Sequence, residues 1–430
     1  MKTLKDKNIR SPKRAPNKAG KSELFPYYAG FSIEFATDVL KGCSSGSLVL
    51  DLWNGSGTTT HAAAALGLSS IGIDLNPVMV VVGKARSISA SDTDMALRKL
   101  ESLLEKYQNE KCIETEPLSD WLDQDLAGPT REIVSWALSS NTASYINDLT
   151  AIGSRLKGLS SANAFILLTL FISIKKLTLS EKTSNPTWIK TKKPAPESAS
   201  KEKRYWKELI LQEGQRLKLI CLANHSSAAA YSRVDIEWAS AEKLSIESSS
   251  IDAILTSPPY CTRIDYARAT LIELSVLGLN TENSDLTVRR QLMGTTTINN
   301  SIIYQQQALP NSINDLLESI KNHPSHGSKS YYYKNFRQYF LALQNSVREM
   351  SRVLKKGGNA TVVLQGSHYK EIAIDLPKLF TEIACSENLH LKDQISFENK
   401  RTFASINTKS RKYKDLIMPN EQVLFFGKNS

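Results

Sequence analysis

Short apolar runs that end in a polar or turn-forming residue recur along the chain, and they predict buried strands. The first two, at 47–51 and 70–74, are separated by a glycine loop and by an alanine-rich helix that begins near His61. This strand–loop–helix–strand order is typical of a parallel sheet. The predicted strands are Ser47–Asp51, Ser70–Asp74, Val234–Trp238, Ile251–Leu255, Asn359–Gln365 and Val423–Gly427. We therefore predict an α/β fold.

Between the second and third strands the pattern changes to helical spacing. Apolar residues recur there at intervals of three and four, and the pattern predicts a buried helix over 162–179. Segment 184–203 reads as an exposed loop because it holds three prolines, and segment 280–330 is polar with little pattern. A further helix is predicted over 336–354, where Lys-Lys-Gly-Gly follows as a stop signal. The recurring apolar residues are Met95, Leu97, Leu100, Leu103 and Leu104.

These changes of pattern divide the chain. We predict a basic disordered arm at 1–22, the first part of an α/β domain at 23–86 and a largely helical insertion at 87–232. The rest of the α/β domain follows at 233–430, with a polar insertion at 280–330.

The formal net charge of the 430-residue chain is +11, and much of it lies in the arm, where eight lysines and arginines face one aspartate. Two further basic stretches, 190–204 and 400–414, carry aromatic residues within or beside them. Any one stretch is equally consistent with a solvated loop, but three together favour a polyanionic partner such as nucleic acid. The candidate contacts are Lys190, Lys192, Lys193, Arg401 and Arg411.

The five cysteines are scattered and form no CxxC pair, and the six histidines show no ligand spacing. We therefore expect a reducing compartment and no metal site. The longest apolar run, Phe165–Ile174, is too short to cross a bilayer, and no signal peptide is evident. A cytoplasmic protein is the expectation.

The stretch Thr256–Tyr260 reads Thr-Ser-Pro-Pro-Tyr and follows an apolar strand directly. Two prolines stop the ladder and fix an extended turn, which leaves carbonyl oxygens beside an aromatic ring. In an open α/β sheet, ligands bind at this carboxyl edge of the strands. Acceptors beside a flat ring suit a planar group with an amino substituent, such as a nucleobase.

A glycine loop follows the first strand, and Asp74 ends the second. Gly55 and Gly57 allow a tight turn and a close approach to a ligand, and Asp74 can accept hydrogen bonds from ribose hydroxyls. Thr60 stands where a dinucleotide fingerprint needs a third glycine, and the lysine of a P-loop is absent. These departures favour a nucleoside without a pyrophosphate, commonly S-adenosylmethionine, although an ordinary tight turn would explain the loop if it stood alone.

Together the motifs resemble those of the amino-directed DNA methyltransferases, which methylate N4 of cytosine or N6 of adenine. Asp51–Thr59 resembles the cosubstrate loop of that family, Ile71–Pro77 the acidic motif, and Thr256–Tyr260 the catalytic motif. Tyr27–Glu34 resembles the N-terminal segment that covers the methionine end of the cosubstrate, and Arg352–Gly358 a helix–strand unit of class I methyltransferases. About half of the chain is covered, without the two insertions.

The resemblance implies a class I, Rossmann-like methyltransferase with a mostly parallel seven-stranded sheet and a helical insertion. It implies S-adenosylmethionine as cosubstrate and double-stranded DNA as partner, with the target base flipped out. The implied catalytic residues are Ser257, Pro258, Pro259 and Tyr260. The implied cosubstrate residues are Tyr28, Phe31, Asp51, Trp53, Gly55, Gly57, Thr58, Asp74, Asn76 and Ser240.

The chain also departs from the pattern of the family. Leu52 and Trp53 replace Pro and Phe, Tyr28 and Gly30 replace Pro and Lys, and Ser240 or Glu242 stands where the family often has Asp. These departures predict different packing beside the adenine and put substrate efficiency in question more than the identity of the cosubstrate.

Within the family, Ser-Pro-Pro-Tyr is associated with cytosine N4, so we expect N4 methylation, with adenine N6 as the alternative. An RNA amino-methyltransferase and a non-catalytic nucleic-acid-binding subunit are two rival interpretations of the same motifs. Arg263 and Tyr266 are candidates to touch the flipped nucleotide, although Arg263 is equally suited to pair with Asp265. Segments 87–232 and 280–330 are candidates for target recognition. The implied setting is a bacterial or archaeal restriction–modification or phage-defence system, nucleoid-associated and with a cognate subunit.

Overall fold

The computed structural model describes most of the α/β domain and part of the insertion. The described residues are 9–13, 24–25, 30–109, 154, 156–178, 199–223, 232–261, 266–277, 288–295, 297–299, 307–397 and 420–429. The side chains of 106–109, 177–178, 199–206, 268, 271 and 275 are outside this description. Tyr28, Arg263, Asp265 and the basic candidates Lys190, Lys192, Lys193, Arg401 and Arg411 lie outside the described residues.

The strands of the described residues are β1 Leu48–Asp51, β2 Ser69–Asp74, β3 Val234–Trp238, β4 Ile251–Thr256, β5 Leu354–Gln365, β6 Ser367–Tyr369, β7 Ile372–Ile374, β8 Leu389–Phe397 and β9 Glu421–Lys428. Seven of them form one sheet in the order β3-β2-β1-β4-β5-β9-β8. The first five in this order run parallel to one another, while β9 is antiparallel to both β5 and β8. The remaining two strands, β6 and β7, form a separate hairpin. The mostly parallel seven-stranded fold is confirmed.

The described helices cover both faces of this sheet. They are α1 Ile33–Leu40, α2 Thr58–Ala65, α3 Pro77–Arg86, α4 Ala90–Asn109, α5 Ser161–Thr178, α6 Ala199–Ala223, α7 Tyr266–Ala269, α8 Leu271–Val276, α9 Val288–Gln291, α10 Asn311–Asn322, α11 Tyr333–Val353 and α12 Leu376–Ser386. Adjacent residues of one strand point to opposite faces, and Val49 packs among the residues of α1 and α2 while Leu50 packs with α10, α11 and α12. A π-helical turn, Ser328–Tyr332, leads into α11.

The described part of segment 87–232 contains three long helices, of which α5 packs against α3. α5 is buried between α3, α4 and α6, and the four helices share one apolar core with Leu24 and Phe25. This core is continuous with residues of α7, α8 and α9, so the helices of this segment lie against the domain beside the second and third strands.

Several elements differ from the expectations. Ile9–Lys13 docks on α1, where Arg10 binds Asp38 through Nε at 2.7 Å and Ser32 N donates to Pro12 O at 2.8 Å. The polar segment 280–330, which showed little pattern, contains the amphipathic helix α10. Its buried face is formed by Ile313, Leu317 and Ile320. β5 starts at Leu354, so Lys-Lys-Gly-Gly belongs to a strand although α11 does end before it.

Candidate active site

The two sequence motifs meet at the carboxyl edge of the sheet. β1 lies between β2 and β4, so the ends of these three parallel strands, Asp51, Asp74 and Thr256, are neighbours. The order of strands reverses at β1, which is the point where open α/β sheets bind ligands. A large pocket that is open to solvent lies there and is lined by residues of both motifs.

Asp51 holds the two motifs together. Its Oδ1 accepts from Thr256 Oγ1 at 2.6 Å and from Trp53 N at 3.1 Å, and its Oδ2 accepts from Thr59 Oγ1 at 2.6 Å. Burial raises the pKa of Asp51 to about 6, against the lowering effect of these hydrogen bonds. With three protein donors on its carboxylate, Asp51 joins the end of β1 to the end of β4 and to α2 at the pocket.

The glycine loop turns from β1 into α2 with a backbone that favours glycine. Gly55 has φ +50° and Gly57 has φ +79°. A Cβ atom on Gly57 would lie 3.3 Å from the Cα of Gly83, so α2 and α3 approach closely here. Gly57 is the N-cap of α2, and Thr58, its first residue, lines the pocket.

Asp74 is aimed at the pocket by the backbone around it. Its Oδ2 accepts from Gly55 N and its Oδ1 from Asn76 N, both at 2.8 Å. Burial raises the pKa of Asp74 to about 7. Each carboxylate oxygen can accept a second hydrogen bond, which suits the paired hydroxyls of a ribose.

Asn76 lines the pocket but uses its side chain within the protein. Its Oδ1 caps α3 by accepting from Val78 N at 3.1 Å, and its Nδ2 donates to Thr270 Oγ1 at 3.0 Å. It therefore ties the acidic motif to the α7–α8 turn that follows the catalytic motif.

The Ser-Pro-Pro-Tyr turn is supported from behind by α11 and by the segment after α9. Tyr339 OH donates to Pro259 O at 2.8 Å, and a Cβ atom on Gly294 would lie 3.1 Å from Tyr260 O. Tyr260 N donates to Tyr266 OH at 3.5 Å. Burial raises the pKa of Tyr260 to about 12, so its phenol stays neutral.

A smaller cavity lies on the other side of the same turn. Ser257, Pro258 and Tyr260 line it together with Gln365 and Glu421, which face each other across β5 and β9. Burial raises the pKa of Glu421 to about 7. The catalytic motif thus separates a large pocket over β1–β3 from a small one over β5 and β9.

Most of the described residues that the sequence singled out line the large pocket. They are Phe31, Asp51, Trp53, Gly55, Thr58, Asp74, Asn76, Ser240, Ser257, Pro258, Pro259, Tyr260 and Tyr266. Gly57 lies outside the lining. Their assignments to cosubstrate or catalysis stay predictions. Sequence reasoning did not single out Lys175, Tyr339 or Glu421, because no local motif marks a lone residue on a helix or a strand end.

Among the residues that the structure describes, no three histidine, cysteine or acidic side chains gather to hold a metal ion. Within the same residues, no helix has the length and apolar character that spanning a bilayer requires.

Comparisons with known proteins agree with these motifs. The DNA methylase family model N6_N4_Mtase matches residues 5–84. The type II methyltransferase M.BsoBI of Geobacillus stearothermophilus is 26% identical over 294 residues, which cover 65% of this chain and 57% of the relative. M.AvaI of Anabaena variabilis, also a type II methyltransferase, is 30% identical over 149 residues, 32% of this chain and 30% of the relative. The matches thus span little more than half of one relative and less than a third of the other.

A solved geranyl diphosphate methyltransferase in complex with GPP and sinefungin overlaps 92% of this chain and 77% of its own. Its TM-score is 0.34 and its identity 8%, so the fold class rests on the strand order described above. The family model, the two relatives and the motifs that meet at one sheet edge agree with one another. Over the residues that these matches cover, the chain is similar to the amino-directed DNA methyltransferases.

Proposed function

We propose that this protein transfers a methyl group from S-adenosylmethionine to the exocyclic amine of a DNA base, cytosine N4 in preference to adenine N6. The observation that carries the proposal is that one pocket is lined both by Asp74 with its glycine loop and by Ser257 and Pro258. A methyl donor bound over β1 and β2 would therefore lie beside the acceptors for the target amine.

The large pocket fits the cosubstrate by its chemistry. Asp74 offers a carboxylate to ribose hydroxyls, Gly55 and Gly57 let the backbone come close, and Leu75 and Ala241 offer apolar surface to an adenine ring. Ser240 and Glu242 lie in the same lining and can accept from its amino group. When bound, S-adenosylmethionine supplies an electrophilic methyl group on a sulfonium.

The catalytic turn acts by orienting the target amine. The lone pair of an exocyclic amine is delocalised into the base, which makes it a poor nucleophile. Ser257 Oγ and the Pro258 carbonyl oxygen accept hydrogen bonds from its two N–H groups, which favours a tetrahedral nitrogen with its lone pair directed at the methyl group. The methylated nitrogen then releases one of these protons to solvent. The remaining contribution is positioning for in-line attack, so the residues need form no covalent intermediate.

Tyr260 stacks on the flipped base in this proposal, and Tyr339 keeps the turn in place through Pro259. Ser257 in the first position of the motif supports cytosine over adenine through the association within the family. The proposal extends to duplex DNA as substrate and to segments 87–232 and 280–330 as target-recognition regions. A described part of the second segment supports this role, since Gln291 and Met293 line the pocket.

The same proposal includes the cellular setting. Two relatives are named type II methyltransferases, which supports a restriction–modification or phage-defence system with a cognate subunit. The proposal also places the protein in the cytoplasm at the nucleoid. In it, the basic stretches contact DNA phosphates.

Calorimetry with S-adenosylhomocysteine tests the cosubstrate first. We expect binding of one ligand per chain, which Asp74→Ala weakens strongly. Absence of binding by the native protein would favour a non-catalytic nucleic-acid-binding subunit.

Expression in a host that lacks DNA methylation tests the product. Nucleosides from its hydrolysed DNA and RNA are separated by mass spectrometry, and we expect N4-methylcytosine in DNA. N6-methyladenine in DNA would instead identify adenine as the target base. A methylated amine found in RNA alone would contradict the DNA assignment and favour an RNA amino-methyltransferase.

Two variants test the roles of the catalytic turn. We expect Ser257→Ala and Tyr260→Ala to keep affinity for S-adenosylhomocysteine and to lose methyl transfer by a factor of about 100 or more. Cys385→Ser changes an exposed cysteine on α12 and serves as the control with unchanged transfer. Unimpaired transfer by Tyr260→Ala would refute the stacking role.

A further inference from the structure

A single basic side chain reaches the large pocket from the helical segment. Among the described residues that line this pocket, Lys175 of α5 is the only lysine, arginine or histidine. Asp51, Asp74 and Glu242 contribute acidic groups to the same lining. The positive charge of the lining is therefore concentrated at one point.

Lys175 is held in place by α8 and by an aromatic ring. Its Nζ lies 2.6 Å from Glu273 Oε1 and 3.3 Å from Ala269 O, and 5.7 Å from the ring centre of Phe25. Glu273 is fully buried, while 23% of the Lys175 side chain remains exposed. The ammonium group is thus oriented by buried partners, and the partly exposed Lys175 side chain lines the pocket.

The charges of the expected ligand complement this arrangement. S-adenosylmethionine carries cationic sulfonium and ammonium groups and one anionic group, the carboxylate of its methionyl part. A carboxylate that enters a partly desolvated pocket needs a cation or several donors beside it. Lys175 is the described lining residue that can meet this requirement with a full charge.

We propose that Lys175 binds the methionyl carboxylate of the cosubstrate and that Glu273 positions the ammonium group for this contact. The proposal rests on the proposed function, since it concerns the same pocket. It makes α5, which lies within the inserted segment, a part of the cosubstrate site. In a purely structural role, by contrast, the Lys175–Glu273 pair would only fasten α5 to α8.

Two ligands separate these roles. S-adenosylhomocysteine carries the carboxylate, whereas 5′-methylthioadenosine has the same nucleoside and thioether but lacks the amino acid part. For Lys175→Met we expect about tenfold weaker binding of S-adenosylhomocysteine, and a change of less than about twofold for methylthioadenosine. Retained methylthioadenosine binding also shows that the variant is folded.

The neighbouring lysine provides a matched control. Lys176 lies on the same helix and binds Glu213, and it is absent from the pocket lining. Lys176→Met should leave both ligands unaffected, and Lys175→Arg should restore most of the S-adenosylhomocysteine affinity because it keeps the charge. The affinities are measured by calorimetry on the full chain.

The outcomes are distinct. Unchanged affinity of Lys175→Met for S-adenosylhomocysteine, or an equal loss for both ligands, would overturn the carboxylate contact and leave the proposed function standing. Failure of the native chain to bind either ligand would instead overturn the proposed function. If Lys175→Met proves unfolded, Lys175→Gln decides, because it removes the charge but can still donate to Glu273: a loss of affinity for S-adenosylhomocysteine alone supports the contact, and unchanged affinity or an equal loss for both ligands overturns it.

Discussion

The Thr256 hydroxyl donates a 2.6 Å hydrogen bond to Asp51 across 205 positions of sequence. Thr256 ends the strand that carries the catalytic turn, and Asp51 ends the strand that carries the glycine loop. One buried bond therefore sets the distance between the two halves of the site.

Thr256→Val removes that donor and keeps the shape of the side chain. Asp51 then loses one of its three donors while it stays buried, so we expect the free energy of unfolding to fall by about 1–3 kcal/mol. Chemical denaturation measures the change. Thr361→Val on β5 is the control, since Thr361 is also buried but its hydroxyl bonds to no described residue. Equal effects of the two changes would contradict the prediction.

The Tyr339 hydroxyl fixes the catalytic turn through Pro259 O, so Tyr339→Phe should slow methyl transfer by about 3- to 30-fold. Affinity for S-adenosylhomocysteine should stay the same, because Tyr339 lies behind the turn. Single-turnover kinetics measure the rate. Tyr333→Phe on the same helix is the control with an unchanged rate, and a slower rate there would count against the assignment to Pro259.

Binding of S-adenosylhomocysteine should depend on pH through Asp74. Burial raises the pKa of Asp74 to about 7, and in the proposed function ribose hydroxyls donate to its ionised form. A proton therefore competes with the ligand below pH 7, and we expect affinity to fall by up to about tenfold per pH unit there and to level off above it. Calorimetry at pH 6 and pH 8 checks this, and Asp74→Asn should show a weaker and pH-independent affinity.

The same group has the opposite effect on the unliganded protein. The folded pKa of Asp74 lies above the value of 3.8 for an unperturbed aspartate, so the folded state holds more protons between pH 4 and pH 7. The contribution of Asp74 to the free energy of unfolding therefore increases as the pH falls from 7 towards 4. In thermal melts without ligand, the stability difference between the native protein and Asp74→Asn should shift in favour of the native protein over this range. A constant difference would show that Asp74 does not titrate there.

Alanine variants at Gly57 and Gly46 distinguish the effect of backbone strain from the effect of close packing. Both have positive φ, +79° and +83°, so alanine at either position should cost about 1 kcal/mol or more of stability. A Cβ atom on Gly57 would also press on Gly83, whereas one on Gly46 would meet no atom within 4 Å. We expect only Gly57→Ala to weaken S-adenosylhomocysteine binding as well, as measured by calorimetry. Equal affinities of the two variants would contradict the close approach of α2 and α3.

Local features made much of the site predictable. A strand that ends in an acid, a glycine that turns the backbone and a proline pair that stops a ladder all act within a few residues, so Asp74, Gly57 and Ser257 were identifiable from the pattern. The strand ends also placed the motifs at one edge, because parallel strands end on the same side.

Other contacts had no local signal. Tyr339 is one of many apolar positions on an amphipathic helix, and only the packing of α11 beneath the turn brings its hydroxyl to Pro259. Ile9–Lys13 has the composition of a disordered arm, yet the carboxylate of Asp38 and the α1 backbone hold it. Helix α10 was likewise missed, because its polar segment contains few apolar residues. Three of them, Ile313, Leu317 and Ile320, lie on one face of the helix.

The sequence by itself thus determined the α/β order, the resemblance to the amino-directed DNA methyltransferases and the two motifs of the candidate site, since each depends on residues close together in the chain. Only the tertiary structure decided which distant side chains meet there, such as Thr256 on Asp51 and Lys175 in the pocket lining. The physical reason is that hydrophobic periodicity tells which face of a helix is buried but not which element covers it.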